Sequence, residues 1–154
     1  MGLNKLKNMT ETRVFDPFNK PSSIEKSEIV NFLFENLEEY GDPKTDIEKA
    51  IDYSLKEFTS FGGFVLCLYS DDQIKGAVVI NCTGMGGYIP ENILVYVAID
   101  KKHRGEGLGK KIMKQTIEHT DGDIALHVEA NNPAKFLYEL MGFTTPYLEM
   151  RLKK

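Results

Sequence analysis

Arg104-Gly105-Glu106-Gly107-Leu108-Gly109 sets one cation beside three alternating glycines, a composition suited to holding an anion against bare backbone. Glycine has no side chain to keep a ligand at a distance, and it reaches dihedrals that other residues avoid. The preceding run, Ile93-Leu94-Val95-Tyr96-Val97-Ala98-Ile99, is rich in β-branched and aromatic residues, as a buried strand is. Beyond the turn, Leu108, Ile112, Met113, Thr116 and Ile117 recur at helical spacing, with lysines on the outside. The pattern predicts a strand, a glycine turn and a helix over residues 108–119. The first N–H groups of such a helix lack intrahelical acceptors, and the positive end of its dipole lies there. Phosphate is the natural ligand. The turn is not a Walker loop, because no Gly-Lys-Ser/Thr follows, and it is not Gly-x-Gly-x-x-Gly. A glycine turn can also serve only the close packing of a helix on a sheet.

A second element lies downstream, in Leu126-His127-Val128-Glu129-Ala130-Asn131-Asn132-Pro133-Ala134-Lys135-Phe136-Leu137-Tyr138-Glu139-Leu140-Met141-Gly142-Phe143. It reads as a strand, an Asn-Asn-Pro helix start, a short helix and a glycine stop. Arg-x-x-Gly-x-Gly at 104–109 resembles the acyl-CoA pyrophosphate loop of the GNAT N-acetyltransferase superfamily. The closing motif Asn-x-x-Ala-x-x-x-Tyr-Glu-x-x-Gly-Phe is matched by Asn131, Ala134, Tyr138, Glu139, Gly142 and Phe143. The resemblance is carried by residues 93–143; the first sixty residues match by element order.

The resemblance implies an α/β GNAT fold over a single domain, residues 1–154, in the order β-α-α-β-β-β-α-β-α-β. Its mixed sheet would have six to seven strands flanked by about four helices. It implies acetyl-CoA as cosubstrate, no metal, and direct acetyl transfer to a primary amine of a small molecule, peptide or protein. The main chain of Val97, Ala98 and Ile99 would bind the acetyl and pantetheine end in a gap between parallel strands. Arg104, Gly105, Glu106, Gly107, Leu108, Gly109 and Lys110 would cradle the pyrophosphate. Asn131 or Asn132 would touch the ligand, and Tyr138 would protonate the leaving thiolate. For the base, Tyr96, Glu91, Glu129 or a water relay remain open.

At 154 residues the chain is long enough for one core, and 42% apolar with 27% charged residues is ordinary for a globular protein. Net charge of −4 disfavours a nucleic-acid partner, and no run approaches the length of a membrane span. Residues 1–9 carry no apolar signal core, and Leu6 stands where a myristoylation motif needs Ser or Thr, so the expected location is the cytoplasm. The expected assembly is a monomer or homodimer. Cys67 and Cys82 read as reduced core residues, and His103, His119 and His127 lack metal-ligand spacing. Lys101, Lys102, His103, Arg104, Lys110, Lys111 and Lys114 crowd the glycine turn; they are either a solvated face or a field for the CoA phosphates. Glu35, Glu38, Glu39, Asp42, Asp46 and Glu48 concentrate acid in the first half, either as a solvated face or as an attractor for a cationic amine. Two other classes would use the same turn: a non-catalytic acyl-CoA-binding module and a small nucleotide-phosphate binder.

These groups need elements to position them. The patterns predict a strand at 12–15 and a helix from Ser22 or Ser23 to about Tyr40, with Ile24, Val30, Leu33, Phe34 and Leu37 inward. Thr45 and Glu48 suggest a capping box for a second helix with Ile47, Ala50, Ile51, Leu55 and Phe58 inward. Strands at 64–69 and 74–81 form a hairpin through Asp71-Asp72-Gln73. Further strands are expected at 93–99, 124–128 and, closing the sheet, 147–152.

Overall fold

The computed structural model describes residues 9–154, so most of the segment read above for targeting lies outside the described residues. Its sheet has five strands in the order β1-β2-β3-β4-β5. These are β1 (Glu11–Phe15), β2 (Gly63–Ser70), β3 (Gln73–Cys82), β4 (Asn92–Ile99) and β5 (Ile124–Leu126). The first four are antiparallel; β5 runs parallel to β4. The helices are α1 (Ser23–Leu37), α2 (Lys44–Leu55), α3 (Leu108–His119) and α4 (Ala134–Leu140), with 3-10 turns at Glu38–Tyr40 and Lys101–His103. Asp71 and Asp72, both at positive φ, make the two-residue β2–β3 turn, the twist that hairpins favour.

Two cores result. Ile29, Val30 and Leu33 of α1 and Ile47, Ile51 and Leu55 of α2 cover one face of the sheet. Leu108, Ile112 and Met113 of α3 and Tyr138 of α4 cover the other. Ser22 starts α1 with a capping box, accepting from the Glu25 backbone while Glu25 accepts from Ser22 N. Ser22→Ala leaves a helix-start donor without its partner, and chemical denaturation should show a loss of about 1 kcal/mol.

Several expectations are corrected. The sheet has five strands, not six to seven: residues 144–154 carry no ladder, and Tyr147, Leu148, Met150 and Leu152 are exposed. Alternation at 147–152 is a local signal for extended chain, whereas a strand exists only where a neighbour accepts its hydrogen bonds. The neighbouring edge is also short, because β5 ends at Leu126 rather than at Val128. Ile24 and Phe34 are exposed, and Asn36 takes an inward position of α1. Thr45 caps nothing; α2 starts after Pro43 without a side-chain cap. Phe58 lies beyond α2 and is exposed.

Candidate active site

The glycine turn follows the 3-10 turn that ends β4 and leads into α3. Gly107 is the helix N-cap at φ 82°, the left-handed region, and offers no side chain to the helix start. The first helical bond runs from Lys111 N to Gly107 O at 3.1 Å, so the N–H groups of Leu108, Gly109 and Lys110 have no acceptor within the helix. Gly105 also lies at φ 82°, and a Cβ there would stand in open space. Gly109 acts through packing instead. Its missing side chain lets Leu137 Cδ2 approach to 3.1 Å of where a Cβ would be, docking α4 beside the start of α3. His103 Nδ1 and Glu106 Oε2 meet at 2.8 Å and brace the loop from within, which turns the Glu106 carboxylate toward His103. Lys101, Lys102, Lys110 and Lys114 are exposed and make no ion pair among the described residues, whereas Lys111 bonds to Thr10.

β4 and β5 separate next to this turn. Their ladder pairs Asn92 with Ile124, Ile93 with Ala125 and Leu94 with Leu126, and goes no further. At that point β4 carries a bulge: Val79 faces Tyr96 and Ile80 faces Leu94, leaving Val95 as the extra residue. A bulge bends its strand and ends pairing on the far edge. It also breaks the alternation, so Val95 packs with Tyr96 on the α1–α2 side, where strict alternation places them on opposite faces. Beyond the bulge, β4 still pairs with β3 through Val97 and Ala98, while its outer edge has no strand partner. The alternate main-chain groups pointing outward along 95–99 therefore have no neighbouring strand to bond.

Tyr138 sits in the α3–α4 core with Leu108, and Val97 and Ile99 pack against the same cluster. Its ring lies 6.0 Å from that of Phe143, and its hydroxyl has no hydrogen-bond partner among the described residues. Burial pushes the phenol up to about 12, so it keeps its proton. The two asparagines are distinct. Asn132 Oδ1 accepts from Ala134 N at 2.9 Å and is thereby the effective cap of α4. The Asn131 side chain is exposed, and its carbonyl accepts from the Tyr40 hydroxyl at 3.4 Å.

That last bond joins the α1–α2 connection to the β5–α4 loop on the other face of the sheet. Tyr40 itself was not legible as a site residue. Desolvation first, then the charges of Glu39, Glu129 and Glu38, hold its phenol above the usual value. Tyr96 donates to Asp42 Oδ2 at 2.5 Å; burial first, then Asp42 and Asp46, hold its proton on. Glu91 lies at the opposite end of β4, where Oε1 accepts from Asp123 N at 3.0 Å, a bracing contact. The Arg104 side chain turns from the glycine turn toward α1: Nη2 donates to Asn36 O at 2.7 Å and Nη1 to Glu38 Oε1 at 3.0 Å.

The acetyltransferase (GNAT) domain model matches residues 62–145, more than half of the chain. The chain belongs to the GNAT acetyltransferase family. Solved structures agree on the fold. A possible acetyltransferase from Clostridium difficile 630 superposes with a TM-score of 0.67 at 17% identity, covering 95% of this chain and 97% of that one. A ribosomal-protein-alanine N-acetyltransferase from Brucella melitensis gives 0.63 at 12% identity, over 94% and 99% of the two chains. An aminoglycoside acetyltransferase from an uncultured soil metagenomic sample, in complex with trehalose, gives 0.63 at 16% identity, over 97% of each. No curated protein sequence matches.

In this GNAT chain the matched region holds β2 to α4, and therefore the bulge, the glycine turn and Tyr138 together. The family uses acetyl-CoA, and among the described residues no group of His, Cys, Asp or Glu is placed to hold a metal ion. Cys67 is fully buried, and burial raises both it and Cys82 away from the thiolate a nucleophile needs. No helix among the described residues is long and apolar enough to cross a membrane.

Proposed function

We propose that this protein transfers an acetyl group from acetyl-CoA to the primary amine of a cationic acceptor by direct attack in a ternary complex. The observation that carries the reading is the unpaired outer edge of β4 beyond Leu94, with the glycine turn and Tyr138 on one face of the sheet and the acidic α1–α2 connection on the other. The diphosphate would lie on the free N–H groups of Leu108, Gly109 and Lys110, within the field of the surrounding lysines. Pantetheine would run along the outer edge of Val97, Ala98 and Ile99, adding the strand that β5 withholds. The thioester would then lie within the sheet, reachable by an amine from the Tyr40–Asp42 side.

An alkylammonium with a pKa of about 10.4 leaves roughly one amine in a few thousand neutral at pH 7, so proton removal must accompany attack. Asp42, held by Tyr96, and Glu129, whose charge acts on Tyr40, are two of the carboxylates on that side. The same acids favour a cation over a neutral amine. Calorimetry should show CoA binding and no ATP binding, and turnover should follow in a screen of polyamines, aminoglycosides and peptide amines. CoA affinity without turnover on any amine would leave an acyl-CoA-binding module instead. Equal affinity for ATP would point to a general phosphate site.

The acidic rim gives a separate prediction. Replacing Glu38 and Glu39 with Gln and Asp42 with Asn should raise the acceptor KM about tenfold at low salt and flatten its salt dependence. Unchanged acceptor kinetics in that triple variant would make these acids a solvated face.

A further inference from the structure

Arg104 belongs to the glycine turn in sequence, yet its guanidinium is engaged by the C-terminal end of α1. Nη2 takes the Asn36 carbonyl at 2.7 Å, a cation at the negative end of a helix, and Nη1 takes Glu38 Oε1 at 3.0 Å. The contact is reinforced by Asn36, 8% exposed, whose Oδ1 accepts from Lys101 N at 2.9 Å while its amide donates to Phe32 O. Glu38 holds φ 54° and ψ −128°, an unfavourable backbone for a residue with a Cβ, and it starts the turn that carries Tyr40. The two arms differ in strength. The carbonyl contact is partly buried, whereas the Arg104–Glu38 pair is about half exposed on both sides, at 49% and 46%. Exposed pairs of this kind are weak and yield to a stronger anion.

We propose that Arg104 is a positioning residue that exchanges Glu38 for the diphosphate when CoA binds, so that filling the cosubstrate site frees a carboxylate on the acceptor side. This rests on the functional reading above. A dianionic diphosphate at the N-terminus of α3 would offer Arg104 more charge than one carboxylate. The freed Glu38 joins Glu39 and Asp42 as an attractor for the amine. By linkage, a cation neutralising Glu38 then tightens CoA binding by the same factor.

The test is a cycle of CoA affinities by calorimetry in the full chain. Because Glu38 competes for Arg104, Glu38→Gln should tighten CoA binding about three- to fivefold, the range a half-exposed ion pair supports. Glu39→Gln removes a charge from the same turn without touching Arg104 and should change affinity by less than about twofold. In an Arg104→Gln background, CoA binds more weakly and Glu38→Gln should have no further effect. Equal tightening by the Glu38 and Glu39 variants, or a Glu38 effect that persists without Arg104, would overturn the exchange while leaving the acetyltransferase reading intact. A wild-type chain that does not bind CoA would overturn that reading as well. Hydrogen exchange adds a readout that a static strut would not move: CoA should speed exchange in the 38–42 segment of the wild type and leave it unchanged in the Arg104→Gln variant.

Discussion

Gly105→Val should lose CoA affinity by about one to two orders of magnitude, whereas Gly87→Val should bind CoA as the wild type does. The pair is matched in its conformational cost. Gly105 sits at φ 82° and Gly87 at φ 77°, and a Cβ at either position meets nothing within 4 Å. A β-branched residue is an outlier in that region, so both variants should show a similar fall in melting temperature from backbone strain. Only Gly105 borders the free N–H groups of α3, where an added side chain would occupy the space proposed for the diphosphate. Losing one charge-assisted hydrogen bond costs about 1.5–3 kcal/mol, which is the predicted factor of roughly ten to a hundred. Wild-type CoA affinity in both variants would remove the diphosphate from this turn. A comparable loss in both would mean that global strain, not the site, governs binding.

What the chain reveals in advance divides along the range of the interactions. The glycine turn and α3 were legible because their cause is local: apolar spacing over 108–119 and glycines where φ turns positive. The β2–β3 hairpin was legible for the same reason. The bulge at Val95 was not, since it is a property of two strands in register and leaves no mark in the β4 residues alone. It matters most, because it moves Val95 to the side of Tyr96 and coincides with the end of the β4–β5 ladder. The different settings of Asn131 and Asn132 emerge only with the bond to Ala134 N, which occupies one side chain and leaves the other exposed. Arg104 shows the limit most clearly. Its place in the motif is visible in the chain, but its partners lie 66 and 68 positions away, at and just beyond the C-terminal end of α1. A signal was present even there, as Asn36 is a polar residue on the buried face of α1. The missing sixth strand has the opposite cause: alternation at 147–152 was plain, and the partner was lacking.

Tyr138→Phe should lower turnover by about 10²–10⁴ while leaving acetyl-CoA affinity and the melting temperature close to wild type. The ring is 8% exposed and packs in the α3–α4 core, and Phe retains that packing. Only the hydroxyl is removed, and among the described residues it bonds to nothing, so no structural hydrogen bond is lost with it. Because burial holds the phenol at about 12, it is neutral throughout the working range, the form a donor needs and a base does not. The raised pKa also constrains the step. A free thiol is more acidic than a phenol raised by burial, so full transfer to a finished thiolate is uphill. Donation must therefore accompany C–S cleavage, as the attacking nitrogen gives up its own proton and the phenol is restored. Deprotonation of a phenol at about 12 lowers activity only well above about pH 10, so the alkaline limb of the wild-type profile should not originate here. Single-turnover rates decide the matter, because slow product release would hide the effect in steady state. A near-normal chemical rate in Tyr138→Phe would make the residue a packing aromatic and shift thiolate protonation to solvent.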